Sequence, residues 1–158
     1  MKKFKKLVVL FYLIGIFAVG CKKDEGEVDI EYPIIDIAFA DAFPIQCSTF
    51  TRGQTITFKA KFTDNAALGS YSLDIHHNFD HHSHSTEVSN CTAEAVKTPI
   101  KPFLLIKTFQ IPAGQTMYEA NNQLTIPADI DAGDYHFLIK LTDKEGWQTL
   151  KGISIKII

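Results

Sequence analysis

The sequence predicts an all-β domain, a sandwich of about seven short strands. Three observations carry that expectation. Apolar residues recur with period two from Pro33 onward, turn residues separate the runs, and no window of useful length holds a helical apolar stripe.

Taken in order, Ile34 to Phe39 forms the first expected strand, and the nearby Pro33 and Pro44 suit an edge position. Ile56, Phe58, Ala60 and Phe62 then alternate with Thr57, Lys59 and Lys61, as a strand with one buried and one wet face requires. In the third strand Tyr71, Leu73, Ile75 and His77 alternate with Ser72, Asp74 and His76. Phe103 to Ile111 and Gln123 to Ile126 supply two more. Tyr135, Phe137, Ile139 and Leu141 alternate with His136, Leu138 and Lys140 in the penultimate strand. Ile153, Ile155 and Ile157 set against Ser154 and Lys156 complete the pattern. The turns fall at Asp64-Asn65, Pro112-Ala113-Gly114, Asp131-Ala132-Gly133 and Lys144-Glu145-Gly146, where Gly, Pro, Asn and Asp favour chain reversal.

Local motifs narrow the sandwich to an immunoglobulin-like one. Asp131-Ala132-Gly133-Asp134-Tyr135-His136-Phe137 resembles the tyrosine corner, in which a tyrosine hydroxyl bonds to the backbone a few residues upstream. Phe137 stands where antibody domains carry a cysteine, so their inter-sheet disulfide is not expected. Thr142 to Trp147 is similar to the Asp-x-x-Gly hairpin of bacterial cell-surface modules. Phe62 to Asn65, leading into Leu68-Gly69-Ser70, is similar to the turn that precedes their third strand.

The N-terminal residues stand outside this pattern. Residues 1–20 combine a lysine-rich start with a thirteen-residue apolar run, Leu7 to Val19, which is signal-peptide length rather than a membrane span. Ala18-Val19-Gly20-Cys21 resembles a bacterial lipobox, which implies cleavage before Cys21 and lipidation of its sulfur. A plain secretory signal is the alternative. Residues 21–32 read as an acylated cysteine plus a charged flexible tether, and Lys22 to Glu27 is similar to the export signal of surface lipoproteins. Residues 33–158 form the expected single domain.

Charge narrows the partners. Without Lys2, Lys3, Lys5 and Lys6, the chain's 16 basic and 18 acidic residues leave a formal charge of −6. There is no basic footprint for nucleic acid, and a mildly acidic body tolerates cations. Cys47 and Cys91 remain in an exported body, where a pair most often forms a disulfide. Metal ligation by the thiols stays open, because Cys91 follows His84 closely.

Five of the six histidines lie in one short stretch, His76-His77-Asn78-Phe79-Asp80-His81-His82-Ser83-His84. Imidazole is the commonest metal-binding side chain. Strand alternation puts His76 on the polar face with Asp74, and His77 on the apolar face. A turn at Asn78-Phe79-Asp80 would bring His82 or His84 back to His76. His136, on the polar face of the penultimate strand, would join them if that strand neighbours the third. The candidate ligands are therefore His76, His82, His84 and His136, with Asp80, His81 and His77 as further members and Asp74 or Asp80 as a supporting carboxylate. Such a set suits zinc or copper, and nickel by the same chemistry. A solvated loop that binds metals weakly is the alternative. The sequence has no GxSxG elbow, phosphate loop or HExxH helix, so an enzyme is not expected.

Taken together, the lipobox, the sandwich body and the HHNFDHHSH block resemble the lipoproteins of the domain of unknown function 4625 family. The resemblance implies an outer-membrane lipoprotein with a sandwich fold and no established activity. The functional expectation is a membrane-anchored protein that captures, stores or delivers zinc or copper. The alternative is a protein- or glycan-binding module of a surface complex, with structural histidines.

Overall fold

The structure, a computed structural model, describes residues 28–84 and 91–158. The expected leader (residues 1–20), Cys21 and the first part of the tether lie outside the described residues, as do Ser85 to Asn90. Eight strands follow in order: β1 (Ile34–Asp36), β2 (Ser48–Phe50), β3 (Thr55–Thr63), β4 (Leu68–His77), β5 (Leu105–Gln110), β6 (Met117–Thr125), β7 (Gly133–Asp143) and β8 (Gln148–Ile157).

They form two sheets, one of three strands in the order β1-β3-β6 and one of five in the order β2-β8-β7-β4-β5. All pairings are antiparallel except β2 with β8. This is the immunoglobulin-like β-sandwich that the alternation predicts. The inner faces carry the period-two residues: Ile56, Phe58, Ala60 and Phe62 from one sheet, and Leu73, Ile75, Phe137, Ile139 and Ile153 from the other, all buried. The Phe58 and Phe137 rings stack across the gap, with centroids 5.7 Å apart. The tyrosine corner is present, for Tyr135 donates its hydroxyl to the Asp131 carbonyl at 2.6 Å and accepts from Phe103 N at 3.1 Å.

The differences from the expected strands have local causes. Ser48–Phe50 is a further strand of three residues, too short to show a period. The first strand stops at Asp36 rather than Phe39, where the Asp36 carboxylate accepts from Ala38 N at 2.8 Å and turns the chain. β6 begins at Met117, well before Gln123, because its polar run Glu119-Ala120-Asn121-Asn122 lies in a sheet edge with only Ala120 and Leu124 buried. Cys47 and Cys91 form a disulfide with Cα atoms 5.4 Å apart. That removes both thiols from consideration as metal ligands.

Candidate metal centre

The site begins with a cross-strand pair. β4 and β7 are antiparallel neighbours in the five-stranded sheet, and their register sets His76 directly opposite His136. Ile75 and Phe137 point into the core, so strand alternation sends both imidazoles to the outer face, within reach of one ion.

The segment after β4 then folds over that face. Asn78 N donates to the Asp134 carbonyl at 2.8 Å, and His81 N reaches the Asn78 carbonyl at 3.3 Å. His81 adopts φ of +59°, which reverses the chain. Phe79 pins the turn. Its ring is buried, packs edge-on against Tyr135 at 5.3 Å, and lies beneath the Lys97 ammonium at 4.5 Å. Glycine at position 133 permits this seat, since a Cβ there would stand 2.8 Å from the Phe79 ring. Lys97 also ties the connection down, through its own N to the Phe79 carbonyl and its ammonium to the Ala132 carbonyl. His82 and His84 thereby arrive above the pair of strand histidines, and His136 is left fully buried.

Four imidazoles, His76, His82, His84 and His136, each place a ring nitrogen within 4.8 Å of the other three. Their ring centroids are 4.6 to 5.5 Å apart. Neighbouring acceptors decide the tautomers. His76 Nδ1 lies 2.8 Å from Asp74 Oδ1, and His82 Nδ1 lies 2.6 Å from Asp80 Oδ1. A carboxylate only accepts, so each Nδ1 carries hydrogen, and in the neutral ring Nε2 keeps the lone pair. His136 Nε2 lies 3.1 Å from the His82 carbonyl oxygen, which by the same reasoning assigns the lone pair to Nδ1. His76 Nε2 and His84 Nε2 are 3.1 Å apart. Two ligands of a tetrahedral zinc with bonds of ~2.0–2.1 Å stand about 3.3 Å apart, so this pair already has the required spacing. Carboxylates behind metal-bound imidazoles are the usual supporting partners.

Electrostatics keep the cluster in its ligand form. Burial, followed by the neighbouring His84, pushes the His136 imidazole down to about 4. His84 is lowered as well, first by burial and then by His76 and His82. The His82 hydrogen bond holds the Asp80 carboxyl below its usual range. Both shifted imidazoles are therefore neutral at neutral pH, as ligation requires.

The remaining sequence candidates stand apart from the four. His77 lies on the opposite face, opposite Tyr135 and 5.0 Å from the Phe79 ring, because it is one residue out of phase with His76. His81 is exposed at the reversal itself. Asp80 serves as a partner of His82 rather than as a fifth donor in the group. Sequence reasoning did not find the anchoring roles of Phe79 and Lys97. A lone aromatic inside an otherwise polar turn was the available signal for the first.

Fold and site together define an immunoglobulin-like β-sandwich that gathers four histidines under a folded-over turn on one outer sheet face. The chain belongs to the family described as Domain of unknown function (DUF4625), whose family model matches residues 19–158. No curated protein matches it.

Proposed function

We propose that this protein is a membrane-anchored lipoprotein that binds a zinc or copper ion through His76, His82, His84 and His136, for capture, storage or delivery. One observation carries the reading: four imidazoles from three separate backbone segments converge on a common point, two of them backed by carboxylates. Zinc accepts a closed tetrahedral nitrogen set, and copper(II) shares the preference for imidazole. Anchorage through lipidated Cys21 fits the layout. The chain joins the sandwich beside Trp147, whose indole donates to the Asp29 carbonyl at 2.9 Å. From His136 to Asp143, close to that junction, β7 runs about 23 Å at a strand rise of ~3.3 Å. The cluster would then face away from the anchor.

The test is elemental analysis of the full chain, purified in detergent without a polyhistidine tag, beside a variant with all four histidines replaced by alanine. About one zinc or copper per chain, absent from the variant, supports the reading. Equal metal in both proteins overturns it.

A second reading, a binding module for a protein or glycan, is favoured by a shallow groove on the same outer face. Ile106, Leu138 and Leu150 line it beside Asp74, and Ile106 is largely exposed. Partner binding that survives chelation and histidine replacement would favour this reading over the first.

A further inference from the structure

At the other end of the sandwich, three acidic side chains meet. Asp29 precedes β1, Asp143 ends β7, and Glu145 lies in the β7–β8 turn; each offers a carboxylate oxygen within 4.8 Å of the others. Among the described residues no salt bridge reaches any of the three. Repulsion among three such groups needs a compensating charge.

The decisive observation concerns Asp143. It is only 4% exposed, yet its Oδ2 has no hydrogen-bond partner among the described residues. Its other oxygen, Oδ1, is committed to the turn and accepts from Gly146 N at 2.6 Å and Trp147 N at 2.8 Å. Asp29 repeats the arrangement. Its Oδ1 accepts from Glu31 N at 3.0 Å and Asn65 Nδ2 at 2.9 Å, while its Oδ2 is buried with no partner among the described residues. Each aspartate therefore spends one oxygen on local structure and keeps the other buried. A buried carboxylate oxygen without a donor is costly unless an ion satisfies it.

The geometry points to a calcium site formed by Asp29, Asp143 and Glu145. Calcium takes six to eight oxygen ligands at ~2.3–2.6 Å, so oxygens on opposite sides of one ion are about 5 Å apart, which accommodates this set. Zinc and copper prefer nitrogen and sulfur, whereas this group offers oxygen alone among the described residues. Backbone carbonyls or water complete the shell. The consequence is mechanical. Calcium ties the segment at Asp29, already held by the Trp147 indole and by packing of Tyr32 on Trp147 at 5.0 Å, to the turn after β7. The orientation of the domain on the chain that precedes it becomes calcium-dependent. This site is independent of the imidazole cluster.

The chain carries a single tryptophan, and it sits here. Terbium(III), a calcium mimic excited through Trp147, is therefore the probe, added to the full chain in detergent. Sensitised luminescence that calcium displaces at about 0.1–1 mM, the range of extracellular modules, is the expected result. Glu145→Gln, on the exposed turn, weakens calcium at least tenfold, and Asp29→Asn does the same while keeping its Oδ1 acceptor. Trp147→Phe loses the luminescence but keeps calcium binding by calorimetry. Alanine at His76, His82 and His84 leaves all of this unchanged, which separates the two sites. Calcium that displaces no terbium up to about 10 mM, well beyond that range, overturns the proposal. So does an affinity that neither Glu145→Gln nor Asp29→Asn alters.

Discussion

Replacing His84 by alanine is the sharpest test of the imidazole cluster. His84 arrives on the folded-over turn and its Nε2 stands 3.1 Å from that of His76, so its loss removes one donor without touching the sandwich core. A structural zinc site of four ligands is worth about 10–16 kcal/mol at neutral pH, or about 3 kcal/mol per ligand if shared evenly. At ~1.4 kcal/mol per tenfold, His84→Ala should weaken zinc by about 100-fold. The metal-free fold should change little, by about 0.5 kcal/mol, because the side chain is partly exposed and packs in no core. The matched control is His81→Asn, which tolerates the left-handed backbone at that position, lies outside the cluster, and should leave affinity unchanged. Competition titration against a chromophoric chelator measures both, and thermal melts of the metal-free proteins check the fold. An unaltered affinity for His84→Ala, or an equal loss for His81→Asn, would refute the reasoning.

Further outcomes follow from the same geometry. Asp74→Asn should cost about 10–100-fold in metal affinity, by weakening the orientation of His76, with no loss of fold; calorimetry checks it. Metal-stripped protein should lose stability as pH falls from about 6.5 towards 4, because the unfolded chain takes up the proton first while the buried His136 resists it. The full shift corresponds to about 3 kcal/mol, and His136→Gln should flatten that part of a denaturation-against-pH curve. Phe79→Ala should destabilise by about 3–5 kcal/mol in urea melts and weaken metal as well, since the ring that pins the turn is gone.

The strands were legible because their alternation reflects burial directly: Ile56 to Phe62, Tyr71 to His77 and Ile153 to Ile157 appear in the structure with the faces that alternation assigns. β6 was only half legible, since an edge strand with a wet outer side has little apolar signal to show. The gathering of His76 with His136 was legible through two steps, strand parity and the adjacency of β4 and β7 in the immunoglobulin-like order. What the sequence could not convey is the descent of the turn onto the sheet. That depends on Phe79 finding Tyr135 and Lys97 finding Ala132, contacts between residues distant along the chain. Parity alone already assigns His77 to the other face, and the structure sets it opposite Tyr135, outside the group of four.

The cluster's hydrogen bonding is the strongest argument that the histidines do more than pack. Leu138, two residues along the same outer face, is nearly buried, so an apolar side chain could have filled position 136 under the turn. Instead three imidazole protons are directed outward, to Asp74, to Asp80 and to the His82 carbonyl. In neutral rings those donations leave the lone pairs on His76 Nε2, His82 Nε2 and His136 Nδ1, in a group where every ring offers a nitrogen within 4.8 Å of the others. At 3.1 Å, the Nε2 atoms of His76 and His84 are joined either by a hydrogen that His84 donates or by a bound cation. Burial pushes the His136 imidazole down to about 4, so that ring stays neutral at neutral pH. A soft-to-borderline cation satisfies all four nitrogens at once, leaves the three outward hydrogen bonds intact, and gives the carboxylates of Asp74 and Asp80 a charge to face. Closely grouped imidazoles, two of them backed by carboxylates, are what the proposed metal centre requires.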